Sequence, residues 1–363
     1  MWNWIYVYIF CFSFFLSLLL TKLFRKIALK LKVVDNPSER KIHQVPKPLL
    51  GGVGIYFAFI TTILVNMVFA HILVTNRAFS SLVPVDIAGY LEGMLVIREK
   101  LKVILIGMSL MVVLGLLDDL YNIRFRIKLG GQVVLALLLV LFGIRISFFI
   151  PNVYLSGFLT VLWIVGITNA FNLLDNMDGL SAGVGVIAAS LFFITAFQQG
   201  QLFVTVILMA FTGSLVGFLR YNFHPASIFM GDAGSLFLGY TLASLTVLST
   251  YYTEQSPTLF PVIIPVLILG VPIFDTFSVI WLRLGAKESI FKADKRHFSH
   301  RLVSLGLTQR QAVLLVYLVT FCVGINAILL KGVEAWGALI ILVQAVGIFG
   351  VIISLELAAR KNH

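Results

Sequence analysis

Long runs of apolar residues, separated by short polar segments, follow one another along the whole chain. A helix needs about 20 mostly apolar residues to cross a bilayer, and the runs at 3–20, 103–117 and 338–355 approach this length. The pattern predicts about eleven membrane-spanning helices. We expect them near residues 3–21, 51–73, 101–117, 129–143, 157–174, 180–197, 202–219, 234–252, 259–282, 311–330 and 336–356.

Composition supports this prediction, because 60% of the 363 residues are hydrophobic and only 12% are charged, unlike a soluble domain. We therefore predict an all-α polytopic membrane protein that forms a single domain over residues 1–363. The first apolar run has no basic residue before Lys22 and no small-residue cleavage site, so we expect it to be a retained helix. Cys11 and Cys322 lie in apolar runs and are expected to pack there.

The basic residues predict the orientation, because short loops rich in lysine and arginine stay in the cytoplasm. With eleven alternating helices, one side holds 21 of the 27 basic residues and the other side holds six. We therefore predict an outside N-terminus, a cytoplasmic C-terminus, and cytoplasmic loops near 22–50, 118–128, 175–179, 220–233 and 283–310. The net charge of +11 then faces anionic lipids and an anionic substrate. No nucleic-acid-binding module accompanies this charge, so we expect no nucleic-acid partner.

Six acidic residues fall at or just inside predicted cytoplasmic helix ends: Asp118, Asp119, Asp175, Asp178, Asp232 and Asp275. A charge at membrane depth costs about 2.5 to 3.5 kcal/mol on insertion scales, so carboxylates gathered at one face indicate a functional site. Their oxygens suit Mg²⁺ or Mn²⁺, and nearby basic residues suit phosphate. The combination predicts phosphoryl transfer to or from a lipid.

Each acidic segment also has a plainer interpretation. Asp118 and Asp119, which precede several basic residues, could belong to an ordinary solvated turn. In NAFNLLDNMDGL (169–180) the polar residues Asn169, Asn172, Asp175 and Asp178 recur every three residues, which stacks them along one helix face. The Asp-Gly pair that ends this stripe is also a common helix stop. Asp232, between two glycines, could be a simple helix cap or could hold a metal that binds a diphosphate.

The loop after Asp275 carries Lys295, Arg296, His297, His300 and Arg301. Phosphate suits so many donors better than zinc does, because no third histidine or cysteine lies at zinc-ligand spacing. Ordinary positive charge on a cytoplasmic loop is the alternative.

Four segments in this order resemble the polyprenyl-phosphate N-acetylhexosamine-1-phosphate transferases: Asp118-Asp119 with Lys128, NAFNLLDNMDGL, FMGDAGSL, and PIFDT with the histidine loop. The resemblance extends from RKIHQVPKPLLGGVG (40–54) to that loop. Within the family, the chain looks similar to bacterial enzymes that make polyprenyl-diphospho-GlcNAc. The branch that transfers a muropeptide usually has three consecutive histidines, which HFSH does not match.

The resemblance implies transfer of a sugar 1-phosphate from a UDP-N-acetylhexosamine to a polyprenyl phosphate such as undecaprenyl phosphate. UMP would leave, with Mg²⁺ or Mn²⁺ assisting, at the cytoplasmic face of a bacterial inner membrane. The family positions imply metal binding by Asp232 and Asp119, and catalytic roles for Asp118, Asp119, Lys128, His297 and His300. They imply substrate binding by Asn172, Asp175, Asp178, Asn222, Phe229 and Arg301, with Phe229 stacking on uracil. Membrane lipids are expected partners, and a homodimer stays open.

Two positions depart from the family pattern. Ser299 stands where the pattern H-x-H-H-R usually has its middle histidine, and Asn176 stands where relatives commonly have glycine. Serine still donates a hydrogen bond, and asparagine tolerates a left-handed backbone, so the second change looks mild. The first one could change sugar preference or phosphate affinity.

Several alternatives stay open at this point. The donor could be another UDP-N-acetylhexosamine such as UDP-GalNAc, or UDP-MurNAc-pentapeptide. A membrane transporter is a different class, since intramembrane acids also mark transport pathways. For the transferase, we favour direct attack by the lipid phosphate, whose second pKa is about 6. A covalent aspartyl-phosphate on Asp118 or Asp119 is the rival.

Overall fold

The computed structural model describes residues 2–36, 45–75, 85–146, 150–252, 256–288 and 296–361. Its helices are α1 Trp2–Leu31, α2 Gly51–Thr75, α3 Val85–Tyr121, α4 Phe125–Leu141, α5 Val153–Leu174, α6 Leu180–Gln198, α7 Leu202–Asn222, α8 Gly231–Leu248, α9 Ile264–Ile268, α10 Gly270–Gly285, α11 Phe298–Ser304, α12 Gln309–Leu329 and α13 Ala335–Lys361. A short 3₁₀ turn, Phe260–Ile263, precedes α9.

The prediction of a polytopic all-α membrane protein is confirmed. Among the described residues, eight helices are long and apolar enough to cross a membrane, or nine if the bent segment of α9 and α10 is one span. The bend is 70°, and it lies where Pro272 has no N–H to donate to the carbonyl of Ile268.

Two predicted spans are helical but do not meet the same test of length and apolarity. Helix α4 has only 17 residues, and α8 carries Asp232 in its first turn together with several glycines, serines and threonines. Helix α8 tolerates this polarity because other helices, rather than lipid, surround it. The count of eleven spans therefore stays a prediction.

Helix α8 lies at the centre of the bundle, in contact with α2, α3, α5 and α6. Its residues from Ala233 to Thr246 are buried. Glycines bring the neighbouring backbones close: a Cβ on Gly52 would lie 2.1 Å from the backbone nitrogen of Gly234, and one on Gly115 would lie 2.4 Å from the carbonyl oxygen of Asp232. The start of α8 is thus enclosed by α2 and α3.

Helices α1 and α7 are joined by a similar use of small residues. The hydroxyls of Ser13 and Ser17 each donate to an α7 carbonyl, Ala210 and Ser214 respectively, at 2.6 Å. Gly217 faces the same contact, and a Cβ there would lie 2.6 Å from the carbonyl oxygen of Phe14. Such pairs of small residues are a common way for membrane helices to approach closely.

Two features differ from the predicted loop at 22–50. Helix α1 continues to Leu31, so the first basic residues of that segment lie on a helix. Beyond it, the short strands β1 (Val34–Asp35) and β2 (Lys47–Pro48) pair antiparallel, with Asp35 opposite Lys47. Lys47 precedes a proline, which favours extended backbone. The carbonyl of Pro48 accepts from the amide of Phe229 at 2.8 Å, and this bond ties the hairpin to the segment before α8.

Candidate functional site

The N-terminus of α8 is held by Asp119, which comes from the last turn of α3. One oxygen of this carboxylate accepts from the amide of Asp232 at 2.7 Å, and the other accepts from the amide of Ala233 at 3.0 Å. A carboxylate is well placed at the positive end of a helix. Gly231 permits the approach, because its φ is +69° and a Cβ there would lie 2.6 Å from Asp119 Oδ2.

Lys128, from the first turn of α4, lies between two carboxylates of other helices. Its ammonium is 2.8 Å from Asp118 Oδ2 and 2.5 Å from Asp232 Oδ2. Asn172, on α5, donates to Asp232 Oδ1 at 2.7 Å and to the Ser235 hydroxyl at 2.9 Å. Four helices, α3, α4, α5 and α8, therefore meet through one network of charged and amide groups, and both oxygens of Asp232 are engaged in it.

A cavity of about 880 Å³ opens beside this network. Nine of the predicted site residues line it: Asp118, Asp119, Asn172, Asp175, Asp178, Asn222, Phe229, Asp232 and His300. The volume suits a ligand of nucleotide-sugar size. Lys128, His297 and Arg301 are the predicted residues that do not line the cavity.

Asp175 follows the last residue of α5 and differs from the other acids in its contacts. Within the described parts of the chain, its carboxylate makes no hydrogen bond or ion pair. Burial, together with the nearby carboxylates of Asp232, Asp119 and Asp178, raises the pKa of Asp175 to about 8. A carboxylate that lines a cavity without a partner is available to bind a cation.

Asp178 supports a turn of the segment before α8. Its Oδ2 lies 2.9 Å from Nδ1 of His224 and accepts from the amide of Ala226 at 3.0 Å. Lys47, from β2, donates to the carbonyl of the same Ala226 at 2.6 Å. The carboxylate predicted to bind substrate thus also fixes the position of His224, whose side chain lines the cavity.

Asn222 and Phe229 flank this turn. Asn222 is 3% exposed; it accepts from the amide of Gly179 at 3.1 Å and donates to the carbonyl of Ile228 at 3.0 Å. Gly179 has a φ of +74° and precedes α6. Phe229 lines the cavity while its backbone pairs with Pro48 and Gly51. Asn222 therefore joins two loops, and Phe229 lies at the wall of the cavity.

The histidine segment is held by membrane helices rather than lying open over the cavity. His297 Nδ1 is 2.9 Å from Asp275 Oδ2, and the amide of Phe298 donates to Asp275 Oδ1 at 2.6 Å. His297 and Asp275 are 5% and 1% exposed. Asp275, on α10, thus fixes the start of α11, and His300 is the histidine that reaches the cavity.

Arg301 lies elsewhere than predicted. Its guanidinium is 3.1 Å from Glu356 Oε2 on α13 and donates to the Ser278 hydroxyl on α10 at 2.8 Å. In this structure the charge of Arg301 is matched by a carboxylate, and its binding of substrate stays a prediction. Arg296 has an ion pair of the same kind with Glu288 at 3.1 Å, and Lys295 lies outside the described residues.

Sequence reasoning missed three ionisable residues of the cavity. His224 lies within the motif that supplied Asn222 and Phe229, while Asp35 and Lys47 lie at the two strands before α2. The sequence signal for His224 was its place between two predicted site residues. No local pattern marked the hairpin, because its strands are only two residues long.

The carboxylate oxygens of the cavity are the kind of ligand that a hard divalent cation such as Mg²⁺ prefers. The cavity offers carboxylate oxygens from four segments of the chain, and the carboxylate of Asp175 has no hydrogen-bonding partner in the described residues. In the parts of the chain that the structure describes, no three His, Cys, Asp or Glu side chains already form a closed metal cluster. The Lys128 ammonium lies between Asp118 and Asp232, where it provides positive charge.

The fold and the cavity together define a multi-pass membrane protein with a polar cavity lined by several carboxylates. A family model described as glycosyl transferase family 4 matches residues 101–250. A probable undecaprenyl-phosphate N-acetylglucosaminyl 1-phosphate transferase of Bacillus subtilis (strain 168) is 38% identical over 90% of this chain and 85% of that protein.

Two further relatives are more distant. A decaprenyl-phosphate N-acetylglucosaminephosphotransferase of Mycobacterium leprae (strain TN) is 31% identical, over 82% of this chain and 77% of the relative. An undecaprenyl-phosphate alpha-N-acetylglucosaminyl 1-phosphate transferase of Escherichia coli (strain K12) is 25% identical, over 90% of this chain and 85% of that protein. The chain belongs to glycosyl transferase family 4. The family predicted from the four motifs is confirmed, and membership favours an enzyme over a transporter.

Proposed function

We propose that this protein transfers N-acetylglucosamine 1-phosphate from UDP-GlcNAc to undecaprenyl phosphate or a similar polyprenyl phosphate. UMP is released, and polyprenyl-diphospho-GlcNAc starts the synthesis of a cell-envelope polysaccharide. The observation that carries the proposal is the network in which Lys128 joins Asp118 and Asp232 beside a cavity lined by four further acids. The relatives are named as enzymes of this phosphosugar transfer, which supports the same reaction.

The reaction exchanges one phosphorus–oxygen bond for another. An oxygen of the lipid phosphate attacks the β-phosphorus of the UDP-sugar, and the bond from this phosphorus to the bridging oxygen breaks. UMP leaves with that oxygen. The lipid phosphate is partly a dianion at neutral pH because its second pKa is about 6, so a strong general base is unnecessary.

The contacts of the two α3 aspartates favour this direct attack over a covalent aspartyl-phosphate. Both oxygens of Asp119 accept backbone hydrogen bonds, and Asp118 is paired with an ammonium. Carboxylates engaged in this way are weaker nucleophiles. In this proposal Asp119 holds the start of α8, while Lys128 keeps Asp118 and Asp232 together in spite of their like charges.

Mg²⁺ is the proposed cofactor, and Mn²⁺ would fit the same oxygens. Asp232, at the start of α8, and Asp175, whose carboxylate has no described partner, would hold it. Asp119 can share this role, as its motif suggested, because each of its oxygens keeps a lone pair besides the one that accepts an α8 amide. When bound, the ion would neutralise charge on the diphosphate and on the departing UMP.

We also propose that the cavity faces the cytoplasm of a bacterial inner membrane. The cavity residues lie at the end of the bundle where α1 and α3 end and α4 begins, and Lys30, Arg124 and Arg126 lie at the same end. Basic residues at one side of a membrane protein mark the cytoplasmic side. That side is also where nucleotide-sugars are available.

The test is UMP release by the purified protein in detergent with Mg²⁺, undecaprenyl phosphate and UDP-GlcNAc, with UDP-GalNAc and UDP-MurNAc-pentapeptide in parallel. We expect UMP from UDP-GlcNAc only when lipid and metal are both present, and none from the Asp232→Asn variant. Release of UDP instead of UMP would contradict phosphosugar transfer. Faster turnover with either other donor would replace GlcNAc as the sugar.

A further inference from the structure

The two positions at which the chain departs from the family pattern are in direct contact. The hydroxyl of Ser299, in the first turn of α11, donates to Oδ1 of Asn176 at 2.6 Å, across 123 residues of sequence. Ser299 is only 2% exposed. A buried hydroxyl needs such a partner, since leaving it unsatisfied costs about 1 to 3 kcal/mol.

Both partners are fixed by second contacts. The Asn176 amide nitrogen donates to the carbonyl of Leu173 at 2.8 Å, which directs its oxygen away from α5 and towards α11. On the other side, Asp275 holds the amide of Phe298 and the ring of His297, immediately before Ser299. The hydrogen bond therefore joins two segments that are each anchored to a membrane helix.

The pair lies at the wall of the cavity. Asn176 lines it together with the preceding residue, Asp175, whereas Ser299 does not line it but precedes His300, which does. This hydrogen bond links the segment 175–179 to α11, and it adjoins both Asp175 and His300.

We propose that Asn176 and Ser299 are a positioning pair that sets the place of Asp175 relative to His300, and so the fit of the UDP-sugar between them. This inference rests on the cavity being the active site, as in the proposed function. We assign neither partner a catalytic role: Ser299 acts through His300, and Asn176, although it lines the cavity, uses its side-chain oxygen to hold Ser299.

The pair also explains why the two departures occur together. A glycine at 176 would offer no side-chain acceptor to Ser299. A histidine at 299 would add an imidazole at a buried position that already faces the Asn176 side chain, and overfilling a packed site is destabilising. Removing the Asn176 side chain creates room for that imidazole. Glycine at 176 therefore suits histidine at 299, and asparagine at 176 suits serine at 299.

The first experiment measures kcat and KM for UDP-GlcNAc in Ser299→Ala, Asn176→Ala and the double variant. We expect each single variant to raise KM about tenfold, as expected for a lost buried hydrogen bond, with the double variant no worse than either single one. Ser304→Ala is the matched control, because this exposed serine of α11 bonds only the carbonyl of Arg301 in its own helix. Unchanged KM in both single variants, or fully multiplicative effects in the double variant, would overturn the proposal.

The second experiment replaces the Asn176–Ser299 pair with the glycine and histidine of the family pattern. We expect Ser299→His to raise KM and Asn176→Gly to raise it as well, whereas Asn176→Gly with Ser299→His together returns KM to within about threefold of the starting protein. A merely structural role would lower thermal stability and the active fraction without this reciprocal recovery in KM. A double variant that is as poor as the worse single variant would contradict the pair.

The Asp232→Asn variant separates this inference from the proposed function. If Asp232→Asn retains turnover, the cavity is not the active site and the proposed function fails together with the pair. If Asp232→Asn is inactive while all the pair variants behave like the starting protein, only the positioning pair is wrong.

Discussion

The ammonium of Lys128 lies 2.5 Å from Asp232 and 2.8 Å from Asp118, so a single α4 lysine joins the carboxylates of α3 and α8. Such a bridge offsets the repulsion of two like charges at the edge of the cavity. It also keeps a positive charge next to the cavity in which we propose that a diphosphate binds. Without the lysine, both the site geometry and the attraction for phosphate would be lost.

Lys128→Met should therefore lower kcat/KM for UDP-GlcNAc by about 100-fold or more, the usual cost of losing one group that stabilises developing charge. UMP release measures this effect. Arg126→Met is the matched control, because Arg126 is an exposed residue of the same helix and, unlike Lys128, makes no ion pair among the described residues. A Lys128→Met protein that is folded and retains more than a tenth of the activity would rule out the bridge as part of the catalytic site.

Asp175 should make the stability of the magnesium-free protein depend on pH. Its pKa in the folded protein is raised to about 8 from an ordinary value of 3.8, chiefly by burial. Between these two pH values the folded state keeps a proton that the unfolded state has lost, so stability falls as pH rises through this window. The contribution is fully present below about pH 4 and is lost above about pH 8.

Thermal unfolding in detergent with a chelator, at pH 6 and pH 9, tests this dependence. We expect the melting temperature to fall on going to pH 9, and Asp175→Asn to remove much of the fall because the amide does not titrate. Glu334→Gln, an exposed change outside the cavity, should keep the fall of the starting protein. Equal falls in the starting protein and in Asp175→Asn would show that Asp175 is not the group responsible.

Most of the helices and cavity residues could be predicted from the sequence, because each depends on a local pattern. Apolar runs mark the helices, and carboxylates at the ends of these runs are costly enough in a membrane to indicate a site. The family motifs then assigned roles to Asp118, Asn172 and Asp232, which the structure brings together through Lys128.

The partners of individual side chains could not be predicted, because they depend on how distant segments pack. Arg301 looked like a phosphate ligand until its contact with Glu356, 55 residues later, showed that its charge is already matched. His297 is likewise held by Asp275 rather than free to enter the cavity. The number of membrane spans is difficult to predict for a related reason. Helix α8 is surrounded by other helices rather than lipid, so its composition is more polar than that of a lipid-facing span.

His224 and Asp178 should act as one unit in binding the UDP-sugar. Their side chains are 2.9 Å apart, and the same carboxylate oxygen also holds the amide of Ala226. We expect His224→Ala and Asp178→Asn each to raise KM for UDP-GlcNAc about tenfold, and the double variant to be close to the worse single variant.

The measurement is a double-mutant cycle in KM and kcat. His71→Ala serves as the control, because this exposed histidine of α2 lies away from the cavity lining. Additive effects would mean that Asp178 contacts the substrate independently of His224. If His224→Ala had no effect while Asp178→Asn did, the carboxylate alone would be the substrate contact.

The start of α8 should tolerate no side chain at Gly231. A Cβ there would lie 2.6 Å from Asp119 Oδ2, and its φ of +69° is unfavourable for other residues; the backbone strain alone costs about 1 to 3 kcal/mol. Gly231→Ala should therefore lower the melting temperature and, by displacing Asp119 and Asp232, lower UMP release by at least tenfold. Gly130→Ala is the matched control, because nothing lies within 4 Å of a Cβ at this position of α4 and alanine favours a helix. Equal behaviour of the two variants would contradict the tight contact between Asp119 and the first turn of α8.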